Sequence, residues 1–454
     1  MSTNMSGIYQ ESLFAKALAI SVTVPDSSRY RVLADILPWP KMADVANKYR
    51  GQHVSLILGR PLDMRLHLGA YVAQSMNGWT DRETEEMVRY HAGVRILCGL
   101  SESSDSSDRT SVEKFRNQVG PDGSDALNQI IVECAVGAGF TGSGICAADT
   151  TVQEAPIQHP TEVGHMKKIM EKLVGIGEKI GGKVAKSVAQ LAQKAQDAFT
   201  EMRLFTRGKG QQAIEKKKKL SRKMYGVVKK ALGIVQEKSA VLSKKVQQEA
   251  KVQLEQFQKM LGQIIKWLKT GKHPGGKLIS LWNLEARAIT RNKASKSVEF
   301  GRRWLITRLL GGYVIGAPCT KLGGDADVKI ADEVVINFLN NMGELPEAFV
   351  YDRGGDGPKN HELLKNLGVD DCIFPKGKKK MDVAPAVFDM ARRERALSEA
   401  SIATLKHDKY GFNKPRARLP ESCTLKGFSA MLGFNTNHLV ADVLRTWEMT
   451  PDIT

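Results

Sequence analysis

The chain is organised around residues 392–406, which read RRERALSEASIATLK. At 3.6 residues per turn, this stretch predicts a helix with charge on one side, carried by Arg392, Arg395, Glu399 and Lys406. The other side collects an apolar stripe that can dock on a core, carried by Val387, Met390, Leu397 and Leu405. Taken alone, such a charged face is most often a solvated surface with ion pairs four residues apart. Whether it has a further use depends on the residues around it.

Composition describes a soluble globular chain of 454 residues, of which 42% are hydrophobic and 26% are charged. This length predicts roughly two to four domains. The formal net charge of +18 predicts affinity for a polyanion, either nucleic acid or an acidic membrane surface. The six cysteines are scattered, which indicates neither a zinc site nor a disulfide framework. Because the sequence has no signal peptide and no apolar run long enough to cross a bilayer, we expect a cytoplasmic protein.

The positive charge is concentrated in residues 163–272, which contain 26 Lys and Arg but only 8 Asp and Glu. This excess equals the net charge of the whole chain, so the remainder is neutral. Apolar residues recur here at helical spacing, which predicts two or three long helices in a hairpin or bundle. A coiled coil with a Lys-rich solvated face would explain the pattern, but we favour contact with phosphates because the excess is so localised. The segment includes a run that we assign to DNA binding, namely Lys216, Lys217, Lys218 and Lys219.

The two ends of the chain differ from this basic insertion. Residues 1–29 are an N-terminal extension, and residues 30–140 predict a helical N-terminal domain that binds DNA. In that domain, Thr80 and Glu83 form a capping box that begins a helix, and Gly120 to Gly123 separate two short helices. Residues 413–454 are interpreted as a C-terminal tail.

An α/β pattern occupies residues 141–162 and 273–412, on either side of the insertion. It opens with a β-prone run over 144–152. After the insertion, the pattern predicts two strands, 297–310 and 313–321, in a hairpin around Gly311-Gly312. A helix over 328–342 and a strand over 348–352 follow. The pattern then predicts a helix over 360–367, a strand over 371–375 and a final helix over 385–406. This order predicts a mixed sheet with helices rather than a doubly wound parallel sheet.

Three acids fall at positions where such a fold can bring them together. Asp149 lies in the first strand, Asp352 ends a later strand, and Glu399 lies on the helix that follows. Carboxylate oxygens with open positions for water and phosphate are the ligands that Mg²⁺ prefers. Two such ions can activate a water or a 3′-hydroxyl and stabilise the leaving oxygen of a phosphodiester. Arg395 and Lys406, on the same helix face as Glu399, would then hold DNA phosphates.

These residues resemble the DDE transposases of bacterial insertion sequences. The similar motifs are Asp149-Thr-Thr-Val, Tyr351-Asp352-Arg-Gly, the series Arg395, Glu399 and Lys406, Phe115-Arg116, and Glu299-Phe300-Gly301. The spacing around Glu399 matches the family's Tyr-Arg-Glu-Lys signature except at its first position, where Arg392 replaces the tyrosine. The resemblance covers residues 30 to about 415, apart from the basic insertion.

The resemblance implies a fold, a cofactor and partners. The fold would be α/β, an RNase H-like mixed sheet with helices, plus an all-α N-terminal domain and the long basic helical insertion. Asp149, Asp352 and Glu399 would be the catalytic metal ligands for Mg²⁺, with Mn²⁺ as a substitute, and Arg392, Arg395 and Lys406 would contact DNA. The partners would be double-stranded DNA, as terminal inverted repeats and target DNA, and a second copy of the chain in a homodimer on DNA. The protein would be nucleoid-associated.

Other acids and a histidine fit different roles. Asp325 and Asp327 precede a helix and are interpreted as helix caps, and Asp356 as a capping or supporting residue in the loop after Asp352. Glu154 follows the first strand and ranks below Asp149. His407 is assigned to the surface or to the DNA backbone rather than to base catalysis.

Two functions of other kinds remain open from the residues alone. One is an RNase H-like nuclease that cuts without joining strands. The other is a non-catalytic basic DNA-binding protein whose charge is its whole function. A membrane-surface role for residues 163–272 is a further alternative, which the lack of an aromatic-rich apolar face disfavours.

Overall fold

The computed structural model describes residues 23–54, 62–101, 104–157, 159–204, 210–273, 276–290, 298–320, 330–377 and 381–449. These ranges form a mixed α/β structure, as the sequence predicts. Asp325 and Asp327, interpreted above as helix caps, lie outside the described residues.

The N-terminal part is helical. Its helices are α1 (Arg29–Ile36), α2 (Trp39–Arg50), α3 (Met64–Asn77), α4 (Asp81–Tyr90), α5 (Ala92–Leu97) and α6 (Arg109–Gly137). The capping box predicted before α4 is confirmed, because the Thr80 hydroxyl accepts the Glu83 N–H while the Glu83 carboxylate accepts the Thr80 N–H at 2.7 Å. The break predicted at Gly120 to Gly123 is confirmed but is shorter than predicted, since within α6 only Gly120 departs from helical geometry, with φ of 69°. Pro121 can resume the helix because a first turn has no use for its missing N–H.

The basic insertion folds as four long helices in the described residues, not two or three. They are α7 (Glu162–Ile180), α8 (Gly182–Leu204), α9 (Gln211–Lys238) and α10 (Lys244–Thr270). The break between α9 and α10, around Ser239–Val241, was not predicted because it has no glycine or proline to signal it. The four helices pack around an apolar core of their own.

One mixed sheet lies at the centre of the remaining chain. Its strands are β1 (Ile145–Glu154), β2 (Arg287–Thr290), β3 (Val298–Arg308), β4 (Val314–Pro318), β5 (Ala348–Tyr351) and β6 (Asp370–Ile373). The strand order is β2-β3-β1-β5-β6, with β4 also paired to β3. β3 runs antiparallel to β1, β2 and β4, whereas β5 runs parallel to β1 and β6. The mixed sheet and the β3–β4 hairpin are confirmed, while the short strand β2 was not predicted.

Helices cover both faces of this sheet. After the strands come α11 (Ala331–Met342), α12 (Pro358–Leu367), α13 (Pro385–Leu405) and α14 (Pro420–Met449). On one face, a continuous core joins β-sheet residues to the N-terminal helices, α11 and α14. On the other face, α13 and part of α14 pack against side chains of β1, β3, β5 and β6. Of the helices that the structure describes, none is both long and apolar enough to span a membrane.

Helix α14 joins the two ends of the chain. It lies in the segment interpreted as a tail, yet it packs on α6 and α3. The buried hydroxyl of Tyr71 in α3 hydrogen-bonds to Ser124 of α6 at 2.6 Å and to Ser429 of α14 at 2.7 Å. The N-terminal helices, the sheet and α14 therefore share one core.

Candidate active site

The two strand-borne aspartates lie side by side. The parallel pairing of β1 and β5 places Ala147 opposite Val350, and Asp149 and Asp352 each follow two residues later. Because side chains alternate across a strand, both aspartates point to the face covered by α13. Neighbouring strands lie about 4.8 Å apart, so the two carboxylates are close neighbours, beside the middle of β1 and just after the end of β5.

Backbone amides orient both carboxylates. The Asp149 carboxylate accepts the Thr150 N–H at 2.6 Å. The Asp352 carboxylate accepts the Gly354 N–H at 2.7 Å and so begins the 3₁₀ turn Arg353–Gly355. Both aspartates are partly exposed, which leaves them accessible to a molecule bound at this edge of the sheet.

Helix α13 packs across β1 through a stripe that differs from the predicted one. The buried positions are Ala391, Glu394, Ser398, Ile402 and Leu405. The prediction that Leu397 belongs to the docked side is wrong, since its side chain is 39% exposed. Hydrophobic spacing failed here because two of the sheet-facing positions are polar.

These polar positions have partners on the sheet. The Ser398 hydroxyl donates to the Ala147 carbonyl at 3.3 Å, two residues before Asp149. Glu394 forms a buried ion pair with Arg308, which lies opposite Ala147 on β3. Burial lowers the pKa of Arg308, and the nearby Glu394 carboxylate opposes that shift. The sequence signal for this pair is an acid three residues after Ala391 and four before Ser398, on the side of the helix that faces the sheet.

Glu399 lies near the same edge but on the open side of α13. Its carboxylate accepts a hydrogen bond from Arg395 at 2.9 Å, and its side chain is 57% exposed. The Arg395 guanidinium in turn lies 5.3 Å from the ring centre of Phe374. Phe374 donates its N–H to the Tyr351 carbonyl, next to Asp352. Arg395 thus connects Glu399 to the edge of the sheet that carries the aspartates.

The donor set fits a hard divalent cation. Mg²⁺ keeps several waters and takes one or two carboxylates plus substrate phosphates, so two adjacent aspartates are a sufficient protein contribution. Across the described ranges, no group of three or more His, Cys, Asp or Glu side chains is already arranged as a metal site. The ligand role of Glu399 therefore stays a prediction, and it requires Glu399 to leave Arg395.

The loop after Asp352 is held by a network that the sequence did not predict. His361 bridges two carboxylates, with Nδ1 at 2.5 Å from Asp371 and Nε2 at 3.0 Å from Asp356. Although burial opposes it, hydrogen bonding to these two aspartates raises the pKa of His361. Hydrogen bonds from His361 and from the Lys376 N–H lower the pKa of Asp356. Asp356 therefore supports the loop beside Asp352, one of the roles considered for it.

The remaining predicted DNA-binding residues lie on two separate surfaces. Arg392 is exposed on α13, and Lys406 is the residue at which α13 ends. Lys216–Lys219 lie near the start of α9, where Lys216 is 3.5 Å from the Glu201 carboxylate. Since the insertion has its own core, these lysines belong to a different surface from that of α13. His407 accepts the Lys409 N–H at 3.2 Å in the turn after α13.

Comparisons with known proteins give a family match and a similar relative. Residues 19–118 match the sequence model of a family described as "Transposase domain (DUF772)". The chain is also 25% identical over 169 residues to the uncharacterized protein ORF8 in the nfe locus of Rhizobium meliloti, covering 36% of this chain and 79% of that relative. No solved structure matches. The family match confirms the resemblance to transposases and includes Phe115-Arg116, one of the motifs that carry it.

Proposed function

We propose that the protein is a DDE-type transposase, which cleaves DNA at element ends and joins the freed 3′-hydroxyl to target DNA. The observation that carries the proposal is the register that sets Asp149 beside Asp352 under α13. The transposase match of residues 19–118 supports the general class, and the strand-borne aspartates supply the chemistry. An RNase H-like catalytic unit is favoured by the strand order, in which β4, β3 and β1 are antiparallel and β5 and β6 continue parallel to β1.

Neither of the two reactions requires an external energy source. In cleavage, a water oxygen attacks phosphorus, the bond from phosphorus to the 3′ oxygen breaks, and one proton of the water is transferred to that oxygen. In strand transfer, the freed 3′-hydroxyl loses its proton and attacks a target phosphorus, and a target 3′ oxygen leaves and is protonated. Each step exchanges one P–O bond for another.

The chain's own residues have distinct parts in this scheme. Asp149 and Asp352 would hold Mg²⁺ or Mn²⁺, with Glu399 as a third ligand once DNA draws Arg395 away. Bound ions of this kind would activate the attacking oxygen and stabilise the leaving one. Arg392, Arg395 and Lys406 would hold phosphates, since guanidinium and ammonium groups form strong charge-assisted bonds to them. The basic insertion would grip flanking or target DNA as part of a dimer.

Replacing one aspartate tests the proposal. Asp352→Asn keeps the side-chain shape but removes a carboxylate charge, so strand cleavage should fall by at least about a thousandfold, a loss of roughly 4 kcal/mol in transition-state stabilisation. DNA affinity should be unchanged or slightly higher, because the change removes negative charge. Cleavage of a plasmid carrying the element ends would be measured in Mg²⁺.

The matched control is Asp370→Asn, at the opposite end of the neighbouring strand β6. It should cleave like the unchanged protein. Retained cleavage by Asp352→Asn would refute the assignment of this site. Supplying pre-cleaved ends and a plasmid target separates a transposase from a nuclease, because only a transposase yields integration products.

A further inference from the structure

A polar cavity lies away from the paired aspartates. It has a volume of about 450 Å³ and opens between the N-terminal helices and α14. Its charged lining consists of four cations and two carboxylates, which are Arg116, Lys414, Arg416, Lys426, Asp81 and Asp408. The amino end of α4 also faces it, through Thr80 and Asp81. The cavity is therefore predominantly cationic.

The buried side chain of Arg116 forms the floor of this cavity. Its side chain is ion-paired with Asp81, and it donates to the Gln74 side-chain carbonyl at 2.8 Å. This pairing offsets the negative charge of Asp81. The Nε of Arg116 is buried, and no hydrogen-bond partner for it exists among the described residues.

Lys426, in the second turn of α14, supplies an available charge. Within the part of the chain that the structure describes, its ammonium group has no hydrogen bond and no ion pair. Burial, together with the guanidinium groups of Arg116 and Arg416, lowers the pKa of Lys426 to about 8, although the Asp81 carboxylate opposes this shift. Holding a lysine among like charges costs free energy, which is typical of a residue retained to bind an anion.

The other two cations are held on a strained loop that is tied to β1. The Asn413 side chain accepts the Glu154 N–H at 3.0 Å, and the Lys414 N–H donates to the Glu154 carbonyl at 2.9 Å. Lys414 has φ of 46°, a left-handed conformation that few residues other than glycine adopt. Glu154 ends the strand that carries Asp149, so the cavity and the aspartates share one rigid element.

We propose that this cavity binds a backbone phosphate of the same DNA that reacts at Asp149 and Asp352. The five residues from Asp149 to Glu154 span about 16 Å, which corresponds to the rise of about five base pairs. A phosphate bound in the cavity would hold the DNA at a second point and fix its register relative to the paired aspartates. This inference rests on the proposed function for its ligand, but not on metal binding or catalysis.

Salt dependence of DNA binding tests the site. Lys426→Met in the full-length protein should weaken binding to a duplex of the element end by about tenfold and reduce the slope of log affinity against log salt by about 0.9. The control is Arg445→Met, which removes an exposed cation from the same helix. Lys426→Met should also unfold at the same or a higher temperature, because it removes an unpaired, partly buried charge. A marked loss of stability, or a slope equal to that of Arg445→Met, would contradict the proposal.

Amine acetylation gives an independent readout. A lysine with a pKa of about 8 reacts readily near pH 8, and a bound phosphate should raise that pKa and slow acetylation of Lys426 several-fold. Mass spectrometry would follow Lys426 with duplex DNA, with inorganic phosphate, or with neither, all in EDTA. Protection by DNA supports the site even if the metal assignment fails. Protection by inorganic phosphate alone would reassign the cavity to a small phosphate compound, and protection by neither would refute the site.

Discussion

At the residue scale, polar partners decide which side of α13 faces the sheet. Glu394 and Ser398 are buried because Arg308 and the Ala147 carbonyl meet them, while Leu397 remains at the surface. A hydrophobic pattern reads such positions as solvent-facing, since it has no knowledge of the partner. This pairing fixes the rotation of α13 and hence where Arg395 and Glu399 point.

Breaking the ion pair should therefore destabilise the fold. Glu394→Gln leaves the buried guanidinium of Arg308 without a countercharge, for which we expect a loss of about 3–5 kcal/mol in the free energy of unfolding. Chemical denaturation monitored by circular dichroism measures this loss.

The control removes both charges at once. Glu394→Leu combined with Arg308→Met should be markedly more stable than Glu394→Gln, because no unpaired charge stays buried. If the single variant proved as stable as the unchanged protein, the pair would not orient α13.

At the element scale, the helices and strands with clear end signals were predicted well. The Thr80 capping box, the turn at Gly311-Gly312 and the acid-bearing strands β1 and β5 all appear where the sequence indicates. Helix α14 was interpreted as a tail because it lies between two cores. Its buried residues include Leu432 on one side and Phe434 on the other, so it lacks a simple amphipathic period.

Close packing of α14 on α3 makes a second stability prediction. A Cβ added at Gly433 would lie 2.0 Å from the Ser75 carbonyl oxygen, which is backbone and cannot move aside cheaply. Gly433→Ala should therefore destabilise the protein by about 1–3 kcal/mol.

The matched substitution is Gly226→Ala in α9, where an added Cβ meets nothing within 4 Å. It should stabilise that helix by about 0.5–1 kcal/mol. Thermal unfolding of both variants distinguishes the two cases, and equal effects at the two glycines would refute the packing argument.

At the scale of the whole molecule, the cationic residues lie on two separate surfaces, one on the insertion and one on α13 beside the sheet. The insertion carries the net excess of cations and has its own core, whereas α13 carries cations beside the paired aspartates. Composition could locate the first surface but not the second. The cavity around Lys426 was not predicted as a site, because its cations come from two distant parts of the chain, Arg116 of α6 and residues 414–426.

Neutralising the lysine run tests the role of the insertion. Replacing Lys216–Lys219 by glutamine should weaken binding to non-specific duplex DNA and reduce the salt slope by up to about 3.6, if all four contact phosphates. Three of these lysines are exposed and Lys217 is half-buried, which predicts little change in thermal stability. An unchanged slope would assign these lysines to a merely solvated face.

The sequence predicts that the fold can bring the two aspartates together, but it does not fix the register of their strands. Strand patterns identified Asp149 and Asp352, yet only the observed register sets them opposite each other on the face of α13. Sequence cannot fix that register, because a shift of one residue moves a side chain to the other face. The position of Glu399 depends further on the rotation of α13.

The most direct test of the account is Mn²⁺ binding to the full-length protein, followed by electron paramagnetic resonance. The protein and the Asp370→Asn control should bind Mn²⁺ with equal affinity. The double variant Asp149→Asn, Asp352→Asn should bind at least about tenfold more weakly, since both charged ligands are lost. Equal Mn²⁺ binding by all three proteins would contradict the assignment of Asp149 and Asp352 as the metal site.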